Sequence, residues 1–147
     1  MGNLDPVSFD IETSGLDENA VITVAGFAHT LGESLILNVG GSDEYDRQTL
    51  VTTLDTQSAG TVQLDIVESE AALLEAVASF ARNQLDGDKH YLTAFNGETW
   101  NGGFDLPSCR TRFLNHDMGW PFGDIAYADM MQIVDRFDTN DQRDLVG

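Results

Sequence analysis

The stretch Val7-Ser-Phe-Asp-Ile-Glu-Thr-Ser-Gly-Leu16 constrains this chain most. An apolar, β-prone run carries two acids, Asp10 and Glu12, and stops at a Ser-Gly turn. Residues i and i+2 of a strand project from one face, so both carboxylates point into one space. Two like charges held that close are unfavourable unless a cation sits between them. Hard divalent cations such as Mg2+ and Mn2+ prefer carboxylate oxygens, which makes Asp10 and Glu12 candidate metal ligands. The plainer alternative is a half-buried strand whose polar face carries two acids. A three-residue pattern does not by itself separate the two.

The rest of the chain supplies a setting. Residues 20–28 and 34–39 read as second and third strands with short links, an antiparallel meander. Residues 40–60 are polar and turn-rich, with a short helix expected over 46–54. The clearest helix follows: Ser69 is a good N-cap, Glu70 stands in the first turn, and Leu73, Leu74, Val77, Phe80, Ala81 and Leu85 repeat at helical spacing. Asp86-Gly87-Asp88 ends it. Residues 91–95 read as a fourth strand, 106–115 as a helix that tolerates Pro107 in its first turn, 125–130 as a fifth strand, and 131–137 as the start of another helix. This α/β order predicts a mixed five-stranded sheet in which antiparallel strands join parallel ones through helical crossovers, flanked by helices.

Composition narrows the class. A chain of 147 residues suits one domain, residues 1–147, and no apolar run reaches the length of a membrane span. The N-terminus lacks the basic start and apolar stretch of a signal peptide, and the single Cys109 suits a reducing compartment, so a cytoplasmic location is expected. Charge is the unusual feature: 25 acidic residues stand against 7 basic ones, of which only Lys89 is a lysine. Such a surface repels itself in dilute buffer and needs cations to screen it. The acids are spread along apolar-patterned segments rather than blocked together, which argues against disorder and points to a halophilic organism. At high salt, phosphate–lysine contacts contribute little, so a net charge of −18 does not exclude a nucleic-acid partner reached through bridging metal ions.

Two motifs in this order carry a resemblance. Phe9-Asp-Ile-Glu-Thr-Ser-Gly-Leu16 resembles the first motif of the DEDD 3′–5′ exonucleases, which have a ribonuclease H-like fold. Phe95-Asn-Gly-Glu-Thr-Trp-Asn-Gly-Gly-Phe-Asp-Leu-Pro-Ser-Cys-Arg110 resembles their second motif, and is most similar to the proofreading domain of family B DNA polymerases and related stand-alone exonucleases. The resemblance implies that Asp10, Glu12 and Asp105 gather around Mg2+ or Mn2+, two ions where the site is complete, to hydrolyse phosphodiester bonds at single-stranded DNA or RNA 3′ ends. It also implies contacts to the terminal nucleotide from Thr13, Leu16, Asn96 and Phe104. The plainer readings are that Asn96-Gly97 is a turn and Phe104 core.

The third motif of the family, an Asp serving as the fourth carboxylate and preceded four or five residues earlier by Tyr or His, is not in the chain. Tyr127 faces Met131 and Gln132, and no other Tyr or His has an Asp at that spacing. Asp144, after Asn140, has the spacing without the base, and Asp129 matches a supporting family position; both are candidate fourth carboxylates. The chain reads as an exonuclease-like domain stopping before its final helix. A catalytically inactive ribonuclease H-like module that binds nucleic acid or a protein partner is the alternative, and a hydrolase of small phosphoesters on the same fold is a third. There is no Cys/His cluster for zinc and no phosphate-cradling glycine loop.

Overall fold

Alternation builds the centre of the sheet. In β1 (Asp5–Thr13), Val7, Phe9 and Ile11 are buried, while Ser8, Asp10 and Glu12 are exposed. The computed structural model describes residues 3–15, 17, 19–30, 32–40, 46–57, 62–94 and 105–129, with backbone alone at 54–57, 105 and 129. β2 (Ile22–His29) pairs antiparallel with β1, and β3 (Gly32–Asn38) antiparallel with β2, giving the expected meander. The β2–β3 pairing closes at His29 and Gly32, where φ of +142° favours a residue without a side chain.

On the other side of β1 the sheet turns parallel. β5 (His90–Ala94) pairs parallel with β1, and β6 (Ala126–Asp129) parallel with β5. The sheet holds six strands rather than the predicted five. The addition is β4 (Val62–Val67), parallel to β3, so the order is β4-β3-β2-β1-β5-β6. Its signal is visible: Leu64 and Ile66 are half-buried and alternate with exposed Gln63 and Asp65. The crossover into it carries α1 (Arg47–Gln57), the expected short helix with a longer C-terminal end, and Arg47 Nη2 donates to the Leu64 carbonyl at 3.1 Å.

Two further helices cover one face of the sheet. α2 (Glu70–Gln84) starts where expected: Ser69 is extended and its hydroxyl accepts the Ala72 N–H at 3.1 Å. Gly87 sits just beyond its end, where a Cβ would collide with the Asp124 carbonyl oxygen, so the turn can pack against the approach to β6 only as glycine. α3 (Asp105–Asn115) begins at Asp105, with Pro107 tolerated in its first turn. Leu73, Leu74 and Val77 of α2 and Leu106, Cys109 and Phe113 of α3 meet Val7, Phe9, Ile11, Ala25, Phe27 and Leu92 in one core. Each fully buried side chain of this kind stabilises the fold by about 1.5–3 kcal/mol. Phe27 is central, 5.0 Å from the Phe9 ring and stacked on Phe80 at 4.0 Å. Trp120 also belongs to the packing, edge-on to Phe113 and Phe122, and Arg110 lies over its ring at 5.1 Å. No helix among the described residues is long and apolar enough to cross a membrane. The helix expected over 131–137, and the final helix expected to be missing, lie outside the described residues.

Candidate functional site

The period of β1 separates core from chemistry. Its odd-numbered residues 7, 9 and 11 enter the helix-covered face, and Asp10 and Glu12 stand together on the other. Across β2, Asp10 is opposite Gly26 and Glu12 opposite Val24. The carboxylates border an open groove of about 240 Å³ whose floor is Val24, Gly26, Ala28 and Leu35, with Glu33 at its far wall. Gly26 keeps that floor low, since a Cβ there would stand 3.0 Å from Leu35 Cδ2.

The pairing of β1 with β2 is irregular beside this pair. Glu12 faces Val24, but Thr13 faces Ile22, so Thr23 is one residue too many. The extra residue changes the phase of β2. Ile22 is fully buried, as are Ala25 and Phe27, a spacing of three and then two. Regular alternation would have left Ile22 on the Glu12 face. The bulge is tied on both sides: Thr23 Oγ1 donates to the Glu12 carbonyl at 3.1 Å, and the Ile22 N–H donates to Glu70 Oε2 at 2.6 Å.

Glu70 is the residue that sequence reasoning assigned only to a helix first turn. It is 7% exposed. Its Oε1 accepts from Arg112 Nε at 2.7 Å and from Arg112 Nη2, and His116 Nε2 lies 2.8 Å away. One carboxylate thereby joins the start of α2, the start of β2 and the last turns of α3. Burial works to raise its pKa, but the bonds from Arg112, the Ile22 amide and His116 outweigh burial and hold it below the ordinary glutamate value. The signal in the sequence is position: Glu70 lies on the stripe of Leu73, Leu74, Val77 and Ala81, where an acid needs buried partners. Arg112 is thereby ion-paired with Glu70.

Beyond the bulge, a cavity of about 560 Å³ separates the β1–β2 connection from α3. Thr13, Asn19 and Ile22 line one wall; Pro107, Ser108, Thr111 and Arg112 line the other. Thr13 is thus at the cavity, its hydroxyl donating to the Gly15 carbonyl at 2.6 Å. Asp105 is the first residue of α3, as expected, and Asp129 is the last residue of β6, paired with Ala94 two strands from β1. Only their backbones are described, so the structure brings together Asp10 and Glu12 but does not extend the set to Asp105 or Asp129. Leu16, Asn96, Phe104 and Asp144 lie outside the described residues. Among the described residues no three His, Cys, Asp or Glu side chains are grouped to hold a metal ion. The donor chemistry of the Asp10–Glu12 pair, oxygen only and open to solvent, fits Mg2+ or Mn2+ and not a thiolate-seeking metal.

No protein-family model matches the chain, and comparison with curated proteins returns no match.

Proposed function

We propose that this chain is a metal-dependent 3′–5′ exonuclease domain of ribonuclease H-like architecture, hydrolysing phosphodiester bonds at single-stranded DNA or RNA ends. The observation that carries the reading is the placement of Asp10 and Glu12 on one exposed face of β1, a strand paired antiparallel with β2 and parallel with β5. A mixed sheet in which an antiparallel meander joins parallel strands is compatible with that architecture, and α3 starts at Asp105, within the stretch that resembles the second motif. Asp10, Glu12 and Asp105 would hold Mg2+ or Mn2+, which when bound supplies a more acidic water and neutralises charge on the leaving oxygen. Asp10 and Glu12 orient that charge from a rigid strand, while the open groove leaves one side free for substrate. Thr13, Leu16, Asn96 and Phe104 are the proposed contacts to the terminal nucleotide, and Asp129 and Asp144 the proposed fourth carboxylates. A cytoplasm of high salt is the proposed setting, on the evenly spread charge of −18.

The second reading is a non-catalytic module of the same architecture that binds nucleic acid or a protein partner, for which the exposed Asp10–Glu12 face would serve as a binding surface. One assay separates them. A 5′-labelled single-stranded oligonucleotide, incubated with the protein and Mn2+ in molar KCl, is expected to shorten stepwise from its 3′ end. Asp10→Ala should slow this by roughly a hundredfold or more, the loss of several kcal/mol of charge stabilisation. An intact oligonucleotide that the protein nevertheless binds would establish the non-catalytic reading.

A further inference from the structure

The bulge between Glu12 and Thr13 is the point at which the exposed carboxylates meet the buried framework. An inserted residue bends its strand and re-aims the neighbouring side chains, and it leaves backbone groups that must be satisfied elsewhere. Here the groups are the Glu12 carbonyl, bonded by Thr23 Oγ1, and the Ile22 N–H, bonded by Glu70. Glu70 reaches further, because its second oxygen holds Arg112 in the helix that begins at Asp105. Ile22 and Arg112 both line the 560 Å³ cavity, and the Glu70 carboxylate bonds to each of them.

From this geometry we infer that Glu70 is a positioning residue for the metal site: it ties the bulged start of β2, whose Thr23 bonds the Glu12 carbonyl, to α3, the helix that begins at Asp105. The inference rests on the metal-dependent reading above. Glu70 itself takes no part in coordination, since it is buried on the helix-covered side of the sheet, away from the face that carries Asp10 and Glu12. Its contribution is to hold the ligands in an arrangement they would otherwise reach only by losing conformational freedom on binding. Residues that orient metal ligands in this way typically change affinity by about 10–100-fold when removed.

The test is Mn2+ titration calorimetry in molar KCl on the full chain, with circular dichroism confirming that each variant is folded at the temperature used. Glu70→Ala is expected to weaken Mn2+ binding about tenfold. Val77→Ala, a core truncation on the same helix, should lower the melting temperature and leave the affinity unchanged, which a purely structural role for Glu70 would not distinguish from its own variant. Should Glu70→Ala fail to fold, Glu70→Gln and Thr23→Val carry the test, each expected to weaken binding by a few-fold, since the first keeps an acceptor for the Ile22 N–H and the second removes only the bond to the Glu12 carbonyl. A folded Glu70→Ala that binds Mn2+ as the wild type does, or wild-type affinity in both Glu70→Gln and Thr23→Val, overturns the positioning role and leaves the metal site standing. Absence of binding by the wild type overturns both.

Discussion

Glu70 is anchored by residues far away in the chain, 42, 46 and 48 positions from it, which is why its role is not legible locally. What was legible is its oddity, an acid on the apolar stripe of α2. Its depressed pKa gives a pH dependence with a definite sign. A carboxyl whose folded-state pKa lies below its unfolded value contributes stability above the unfolded value and loses it as pH falls through the folded one. The difference in melting temperature between wild type and Glu70→Gln is therefore expected to be constant above about pH 5 and to shrink steadily toward pH 3. Thermal melts in molar KCl across that range measure it. Comparing the two proteins removes the contribution of exposed Asp46 and half-buried Asp86, whose pKa values are also lowered by local hydrogen bonds, from Thr49 and the Asp88 amide respectively. A gap that stays constant down to pH 3 would contradict the assignment of Glu70 as the ionised centre of this network.

Among the elements, α2 was the most legible, because its cap, apolar spacing and terminating turn all agree. Ser69→Ala removes the bond to the Ala72 N–H and is expected to cost about 1 kcal/mol, a melting-temperature loss of a few degrees with Mn2+ binding unaffected. An unchanged melting temperature would mean that water replaces the cap. β1, β2, β3, β5 and β6 were legible from their apolar content and the turns between them. β4 was not, because Gln63, Asp65 and the polar residues before it disguise an alternation of only six residues. The bulge in β2 was also missed, although buried Ile22, Ala25 and Phe27 record it in their uneven spacing. The consequence for the candidate site is direct. Asp10 and Glu12 were found by a rule about regular strands, which β1 obeys, while the departure from regularity lies in β2, the strand paired with it.

At the scale of the molecule, a sheet packed on one face by α2 and α3 presents its opposite face, with the β1 carboxylates, to the outside. That division suits a chain of net charge −18: the acids that play no role in packing stay in water, and the two on β1 share one exposed face. Screening by molar salt removes the long-range part of this attraction, so binding that survives it must come from direct coordination. The most direct measurement is Mn2+ calorimetry in molar KCl on the wild type and Asp10→Ala. The expected result is saturable binding by the wild type that is lost in Asp10→Ala, with the variant still folded. Equal, weak binding by both proteins would contradict the central claim, because Asp10 and Glu12 would then be no more than the polar side of a strand.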